Sequence, residues 1–285
     1  MNNPSNILVA DSGSTKTAWQ LSGAEKIDFS TAGINPYYQD SDSISESLAS
    51  DINFQKINNQ KIEQVFFYGA GCSNLQNQAK VKFAIQKLLP DSEIHISHDM
   101  LGAARALCGQ NAGIVCILGT GSNSCYFDGN EIQNDLPNLG FWLGDEGSAG
   151  YLGKNLVVKW FHNELPDVLM TAFTSMYNLD RDSFLNQIYN QPYPNRYLAS
   201  FAPFLTQHID NQWSRDFVAD SFRLFFSRFV IPYPNFESLP VNFIGSVAIH
   251  FEPILRSVAE GLNCHINKIQ NSVVNGLSDF HRPKL

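Results

Sequence analysis

The sequence predicts an α/β fold of two related lobes, because a strand–turn–strand unit occurs in it twice. The first copy reads ILVA-DSGSTKT-AWQL from residue 7, and the second reads GIVCIL-GTGS-NSCYF from residue 113. Short apolar runs on either side of a turn of small residues are typical of β-hairpins. An internal repeat of this kind indicates that the whole chain is organised around a duplicated unit. We expect the two turns to face each other across a cleft.

Periodicity of apolar residues predicts the remaining elements. The first lobe should follow the order βββαβαβα, with a third strand inside residues 25–38 and later strands at 65–68 and 94–97. Its helices are expected at 41–54, 75–89 and 100–108. Beyond the second hairpin, the pattern predicts a strand at 241–244 and helices at 155–163, 183–189, 217–230, 247–262 and 275–281.

Length, charge and cysteine content exclude several classes of protein. The 285 residues are 44% apolar, which is enough for two sizeable cores. With 19 basic and 27 acidic residues the net charge is −8, which is the wrong sign for a nucleic-acid binder. No apolar stretch approaches the roughly 20 residues of a membrane span, and the N-terminus does not resemble a signal peptide. Five cysteines without CxxC spacing favour a reduced, cytoplasmic protein.

The first turn has the composition of an anion-binding loop. Gly13 permits close approach to the backbone, and the neighbouring serines and threonines supply hydroxyl groups. Successive backbone N–H groups in such a turn can form a nest for a phosphate. Asp11, at the end of the preceding strand, is placed to hold a hydrated Mg²⁺. A tight turn without a ligand is the alternative, and the P-loop pattern GxxxxGK[ST] is absent.

Acidic residues frame the second turn. Asp99 follows the strand at 94–97, and Asp145 and Glu146 stand between Gly144 and Gly147. Together these features suggest a general base, a phosphate cradle and a polar substrate rim. Two simpler interpretations remain open. Asp99 could be only the N-cap of the next helix, and Glu146 could be a helix N-terminal residue stabilised by the macrodipole.

The order and spacing of these motifs resemble the sugar-kinase/Hsp70/actin superfamily. More narrowly, DSGSTKT, LGTGSN, the HD before it and GDEGSAG after it resemble the N-acetylglucosamine kinase family, grouped with BadF/BadG/BcrA/BcrD-type ATPases. VNFIGSVA at 241–248 is similar to that family's adenosine motif. The resemblance implies two ribonuclease H-like lobes in an actin-like ATPase fold. The lobes would comprise residues 1–108 plus 271–285, and residues 109–270.

The resemblance also implies an activity and its residues. The chain would phosphorylate an amino sugar, most simply N-acetylglucosamine at its 6-hydroxyl, using ATP and Mg²⁺, with Asp99 as catalytic base. Sugar contacts would come from Asn35, Asn123, Gly140 and Asp145. The nucleotide and its Mg²⁺ would be bound by Asp11 (through water to the metal), Gly13, Ser14, Thr15, Lys16, Thr17, Gly119, Thr120, Gly121, Ser122, Gly245 and Ser246.

Departures from the family pattern leave alternatives open. Trp142 is displaced from the family's usual tryptophan position, so N-acetylmuramic acid or glucosamine could be the substrate. A BadF-type activator of a dehydratase, carrying an iron–sulfur cluster, and a non-enzymatic nucleotide-gated binding protein are the other classes considered. The zinc motif CxCGxxGCxE of related kinases is absent. The aromatic residues of 154–236 indicate either a core or the face of a homodimer, and no nucleic-acid or membrane partner is expected.

Overall fold

The computed structural model describes residues 6–13 and 15–282, and these divide into two compact units. Unit 1 consists of Met1–Asn111, Phe127–Ile132 and Ser272–Leu285, and unit 2 consists of Ala112–Tyr126 and Gln133–Asn271. Each unit contains helices and a sheet, and each of the two sheets has five strands.

The sheet of unit 1 is mixed. Its strands are β1 (Ile7–Ser12), β2 (Lys16–Ser22), β3 (Ile27–Ala32), β4 (Gln64–Gly69) and β5 (Glu93–His98), in the order β3-β2-β1-β4-β5. The first three strands form an antiparallel meander, whereas β4 runs parallel to β1 and β5 runs parallel to β4. The carboxyl ends of β1, β4 and β5 therefore meet at one edge of the sheet.

The sheet of unit 2 repeats this order. Its strands are β6 (Gly113–Leu118), β7 (Ser122–Phe127), β8 (Ile132–Asp135), β9 (Val241–Ile244) and β10 (Ile266–Gln270), in the order β10-β9-β6-β7-β8. When the strands of each unit are numbered in chain order, both sheets have the same spatial order: third, second, first, fourth, fifth. The predicted α/β duplication is thus confirmed, although the sequence pattern did not predict β8 and β10.

The helices of unit 1 follow the predicted order. They are α1 (Ser41–Ser50), α2 (Leu75–Leu88) and α3 (Asp99–Cys108), with a 3₁₀ turn at Phe54–Ile57 and the last helix of the chain, Val274–His281. The last helix packs on α3 and β1, and Ser278 shares a buried 2.5 Å hydrogen bond with Ser22 on β2. The closing helix therefore belongs to the first unit.

Unit 2 carries the other helices. They are α4 (Gly140–Leu143), α5 (Ala149–Phe161), α6 (Asp167–Tyr177), α7 (Arg181–Asn190), α8 (Pro194–Ala199), α9 (Pro203–Gln207), α10 (Gln212–Phe229), α11 (Ser246–His250) and α12 (Glu252–Gly261), so the last helix of the chain is α13. The single helix expected at 247–262 is two helices. Pro253 has no N–H for the carbonyl of Ile249, and the helix is interrupted just before it, at Phe251.

The aromatic residues of the 154–236 segment form the core of unit 2. Phe173, Phe204, Phe222, Phe225 and Phe226 are fully buried and lie in one continuous hydrophobic cluster. This placement agrees with the core interpretation of the segment. Among the described residues, no helix combines the length and the apolar character needed to cross a bilayer.

Candidate functional site

Two buried hydroxyl groups hold the turn between β1 and β2 in place. Ser12 and Thr17 are both fully buried, and their hydroxyl oxygens lie 2.7 Å apart. The Thr17 hydroxyl also donates to the carbonyl of Ala32 at 3.1 Å. The Thr17 side chain therefore points into the interior of unit 1, where it fixes the shape of the turn. The family resemblance had placed this residue among the phosphate contacts.

The outer part of this turn is open. Thr15 and Lys16 are exposed, and the Gly13 N–H donates to the carbonyl of Lys16 at 3.0 Å. A Cβ on Gly13 would meet no atom closer than 3.8 Å, so no contact within the protein requires glycine there. Ser14, also predicted to bind phosphate, lies outside the described residues.

Two carboxylates lie at the carboxyl edge of the unit 1 sheet. Asp11 is near the end of β1, and Asp99 follows β5 directly. Burial, and to a smaller extent the negative charge of Asp99, together raise the pKa of Asp11 to about 7. Burial also raises the pKa of Asp99, an effect opposed by His98 and by the N–H of Met100. The two acids are therefore close enough to interact.

Asp99 is not the N-cap of its helix. His98 is the cap, and its Nδ1 accepts from the N–H of Leu101 at 3.4 Å. Asp99 is instead the first helical residue, and its Oδ1 accepts from the N–H of Met100 at 2.9 Å. Within the described residues its other carboxylate oxygen makes no hydrogen bond. The simpler capping interpretation is therefore wrong, and one oxygen of Asp99 is left to accept a proton.

The acidic edge fits a hydrated Mg²⁺. Two like charges in a partly buried setting repel each other, and a divalent cation would relieve that repulsion. Among the described residues there is no cluster of three or more His, Cys, Asp or Glu side chains that could hold a metal alone. A Mg²⁺ at Asp11 would therefore keep several water ligands, as this ion commonly does.

Asn35 follows β3 in the same unit. Its Oδ1 accepts from the N–H of Tyr37 at 3.1 Å and lies 2.9 Å from the position of a Cβ on Gly71. Its side-chain amide NH₂ has no protein acceptor within the described part of the chain. Asn35 is partly exposed and keeps two donors for a ligand.

The second turn, residues 119–121, is tied to the start of α5. The carbonyls of Gly119 and Thr120 accept from the N–H groups of Ala149 and Gly150 at 2.9 and 3.0 Å. The N–H of Gly119 donates to the carbonyl of Gly121. In the described residues, the N–H groups of Thr120 and Gly121 have no acceptor. The turn is therefore rigidly placed and retains free donors, as an anion-binding nest requires.

Gly119 occupies the position in unit 2 that Gly13 occupies in unit 1, directly after the first strand. No atom lies within 4 Å of the position that a Cβ would take on Gly119. Its φ is not in the left-handed region. Neither packing nor backbone conformation requires glycine at 119, so the empty space favours a ligand that approaches the backbone closely.

Asp145 lies against the second turn. It is 8% exposed and adopts the left-handed conformation with φ of +61°. Its Oδ1 accepts from Asn138 Nδ2 at 2.8 Å and from the N–H of Ser122 at 3.3 Å. Its Oδ2 would lie 2.9 Å from a Cβ on Gly121. Burial raises the pKa of Asp145, whereas the hydrogen bonds from Asn138 and Ser122 lower it.

The sequence analysis assigned no role to Asn138, whose side chain contacts the second turn and Asp145. Its amide also donates to the carbonyl of Ser122, and its Oδ1 accepts from the N–H of Gly140 at 2.8 Å. One side chain thus connects the second turn, the start of α4 and the carboxylate of Asp145. Its only sequence signal was its position ahead of the GDEGSAG motif.

Glu146 does not lie at the N-terminus of a helix, as one interpretation of the sequence expected. Ser148 caps α5, so Glu146 lies before the helix and outside its first turn. Its side chain is 2% exposed and forms an ion pair with Arg228 of α10, whose side chain is 54% exposed. Its Oε2 is buried without a hydrogen-bond partner. The helix-terminal interpretation of Glu146 is therefore wrong.

The remaining predicted contacts are in unit 2. Gly245 has φ of +121°, and a Cβ there would lie 2.2 Å from the carbonyl oxygen of Leu118, so this glycine is required by packing. Ser246 is exposed at the start of α11. Asn123 is partly exposed, with its Oδ1 accepting from the N–H of Ser124. Gly140 has φ of +71° and open space around it.

Comparison with solved structures identifies the family. The chain is 40% identical to the putative N-acetylglucosamine kinase from Porphyromonas gingivalis, with a TM-score of 0.90 over 97% of this chain and 98% of that chain. The chain belongs to the family of this protein. No protein-family model and no curated protein matches the chain.

Two solved structures with lower sequence identity to this chain share its fold. The putative N-acetylglucosamine kinase from Chromobacterium violaceum is 14% identical, with a TM-score of 0.73 over 97% of this chain and 99% of that chain. A ROK family glucokinase from Streptomyces griseus, in complex with glucose and AMPPNP, is 14% identical, with a TM-score of 0.51 over 96% and 98% of the two chains. At this identity both show that the fold is shared, which agrees with the predicted actin-like ATPase fold.

Proposed function

We propose that this chain is an ATP-dependent kinase of an amino sugar, and that its substrate is N-acetylglucosamine phosphorylated at the 6-hydroxyl. Membership of the family of the P. gingivalis protein supports a sugar kinase. The observation that carries the proposal is Asp99, a carboxylate at the carboxyl edge of the unit 1 sheet with a raised pKa. A carboxylate with a raised pKa is a stronger base than an ordinary one.

Asp99 would remove the proton from the sugar hydroxyl as that hydroxyl attacks the γ-phosphorus. Its free carboxylate oxygen is the acceptor for this proton, while the Met100 N–H fixes the other oxygen at 2.9 Å. Phosphoryl transfer depends mainly on positioning and on neutralising phosphate charge. Mg²⁺ at Asp11 would supply part of that neutralisation when bound.

The two glycine turns would bind the phosphates. In unit 2 the free N–H groups of Thr120 and Gly121 are the donors, and the open space at Gly119 admits the ligand. In unit 1 the exposed Thr15 and Lys16 would contribute a hydroxyl and a positive charge. Thr17 would act through the shape of the turn, because its own hydroxyl is already bonded to Ala32.

The sugar would be recognised by amide and carboxylate groups. Asn35 has free amide donors, and Asp145 is oriented by Asn138 and by the N–H of Ser122. Sugar hydroxyls lose hydration on binding and need such paired donors and acceptors. Asn123 and Gly140 are proposed as further contacts. N-acetylmuramic acid and glucosamine remain the alternative substrates.

The iron–sulfur alternative receives no support from the cysteines. None of the five forms a disulfide, and all five are buried. Burial, together with the negative charge of Asp99, raises the pKa of Cys72 to about 12. Thiols must ionise to ligate a cluster, so we do not propose a dehydratase activator.

The proposal is tested by ADP release in the presence of Mg²⁺ and ATP over five sugars: glucose, glucosamine, N-acetylglucosamine, N-acetylmuramic acid and N-acetylmannosamine. We expect N-acetylglucosamine to give the highest kcat/KM. Phosphorylation of another sugar would replace the substrate assignment, and ADP release that no sugar stimulates would refute the kinase assignment.

Asp99→Asn tests the base. Removing it should lower kcat by about 10²–10⁴-fold, the usual contribution of general base catalysis, while ATP-analogue binding stays within a few-fold. Asp40→Asn is the matched control, because Asp40 is an exposed helix cap in the same unit. Near-normal turnover by Asp99→Asn would remove Asp99 from the mechanism.

A further inference from the structure

A cavity in unit 1 lies apart from the residues assigned above. Its volume is about 460 Å³, within the range of small-molecule sites. It lies along β4 and β5 and is bordered by α2 and by Arg105 of α3. Leu75 and Ala79 of α2 contribute exposed apolar surface, and Gln78 and Ser97 contribute polar groups.

The charges around this cavity are of one sign. Lys82 and Arg105 line it, and no Asp or Glu does. The cavity therefore has a positive lining in a chain whose net charge is −8. The nearest acid along β5, Glu93, is already engaged by His95 at 3.2 Å.

Neither cation has an acidic partner in the described residues. The Arg105 Nη1 donates at 2.8 Å to the hydroxyl of Tyr68, which is a neutral acceptor. Its Nε is buried without any acceptor, and its guanidinium lies over the Phe280 ring at 5.3 Å. Lys82 is exposed on α2. The positive charge of both residues is thus left for a ligand.

We propose that this cavity binds a small phosphate monoester, with the phosphate between Arg105 and Lys82 and the organic group against the apolar surface of Leu75 and Ala79. Arginine and lysine bind phosphate through charge-assisted hydrogen bonds. The amide of Gln78 donates to the carbonyl of Cys72, so its oxygen can accept from a hydroxyl group of the ligand. The proposal does not depend on the proposed kinase activity.

Calorimetric titration of the full chain with phenyl phosphate tests the site, with inorganic phosphate as the second probe at equal ionic strength. We expect phenyl phosphate to bind at least tenfold more tightly. Equal affinity for the two probes would overturn the monoester assignment, because the apolar surface of the cavity would then contribute nothing. Failure of both to bind would overturn the site.

Substitution of the two cations tests whether phenyl phosphate binds in this cavity. Lys82→Met and Arg105→Gln should each weaken phenyl phosphate binding about tenfold, the typical effect of losing one charge-assisted hydrogen bond. Lys87→Met is the control, since Lys87 is also on α2 but pairs with Asp42 and does not line the cavity. Lys82 is exposed, so Lys82→Met should fold normally and remain informative if Arg105→Gln does not. Unchanged affinity in Lys82→Met would overturn the proposal.

Discussion

The hydroxyl of Tyr68 on β4 lies 2.8 Å from Nε2 of His281 in the last helix, although 213 residues separate them. Arg105 donates to the same hydroxyl, which leaves its proton free to be donated to His281. The His281 ring also stacks on Phe66, with the ring centroids 3.6 Å apart. These contacts attach the C-terminal helix to the sheet of unit 1.

The titration of His281 should make stability depend on pH. Burial, with smaller contributions from the charges of Arg105 and His95, lowers the pKa of His281 to about 4. Because the folded pKa is below the ordinary value of 6.5, the folded state binds fewer protons than the unfolded state. The resulting stability is present above pH 6.5 and is lost as the pH falls through 4.

We expect His281→Gln to remove this dependence. Between pH 7 and pH 4, the free energy of unfolding of the native chain should fall by about 2 kcal/mol more than that of the variant. Urea denaturation at pH 7, 5.5 and 4 measures the difference. His250→Gln, at an exposed position on α11, should follow the native profile. Parallel profiles for His281→Gln and the native chain would contradict the prediction.

Two glycines should respond oppositely to alanine. Gly119→Ala places a methyl group in empty space, so unfolding free energy should change by less than about 0.5 kcal/mol. If a phosphate approaches this backbone, affinity for a non-hydrolysable ATP analogue should fall at least about tenfold, because the methyl would occupy its space. Calorimetry measures both quantities.

Gly245→Ala is the contrasting variant. Its left-handed φ and the 2.2 Å approach to the Leu118 carbonyl should together cost about 3 kcal/mol or more of stability. Gly261→Ala, with no atom near its Cβ position, serves as a neutral control.

Full ATP-analogue affinity in Gly119→Ala would show that the open space is not used by the nucleotide.

Asn138→Ala should damage sugar binding more than ATP binding. The change removes the 2.8 Å hydrogen bond to Asp145, so the pKa of Asp145 should rise and its carboxylate should lose orientation. We expect the KM for sugar to increase about tenfold, equivalent to one hydrogen bond to a charged group, and the KM for ATP to change less than threefold. Steady-state kinetics as a function of pH test both effects.

A matched substitution separates this role from general destabilisation. Asn130→Ala changes an exposed asparagine and should leave both KM values unaltered. Equal increases in the two KM values for Asn138→Ala would argue against a specific role of Asp145 in sugar binding.

Arg228→Met should be strongly destabilising. It leaves the carboxylate of Glu146, which is 2% exposed, without its ion-pair partner. Removing one partner of a buried ion pair typically costs about 3–5 kcal/mol, and the half-exposed position of Arg228 places this case near the lower value. Denaturant unfolding measures the loss.

Arg223→Met is the internal control for this experiment. Arg223 lies on the same helix and pairs with the exposed Asp220, an interaction worth less than about 1 kcal/mol. Glu146→Gln combined with Arg228→Met should recover part of the lost stability, since no buried charge then remains. Similar losses for the two arginine variants would show that Glu146 does not depend on Arg228.

Most elements near the candidate site were predictable because their signals are local. The two hairpins, the strand that ends before Asp99 and the helices of unit 1 are encoded by runs of five to fifteen residues. The interruption at Phe251 also had a local signal in Pro253, which the periodic pattern obscured. β10 was missed because its sequence, INKIQ, contains only two apolar residues.

The sequence by itself determined the duplicated α/β fold and the candidate acids, because apolar periodicity and turn composition act between neighbours in the chain. Only the tertiary structure decided which groups meet. In the folded chain, Glu146 pairs with Arg228, which lies 82 residues further along the sequence. His98, and not Asp99, caps the helix α3, and the Thr17 hydroxyl points inward. The tertiary structure also brought Asp99 close enough to raise the pKa of Asp11. Burial and charge–charge interaction depend on distances through space, and residue spacing along the chain does not fix those distances.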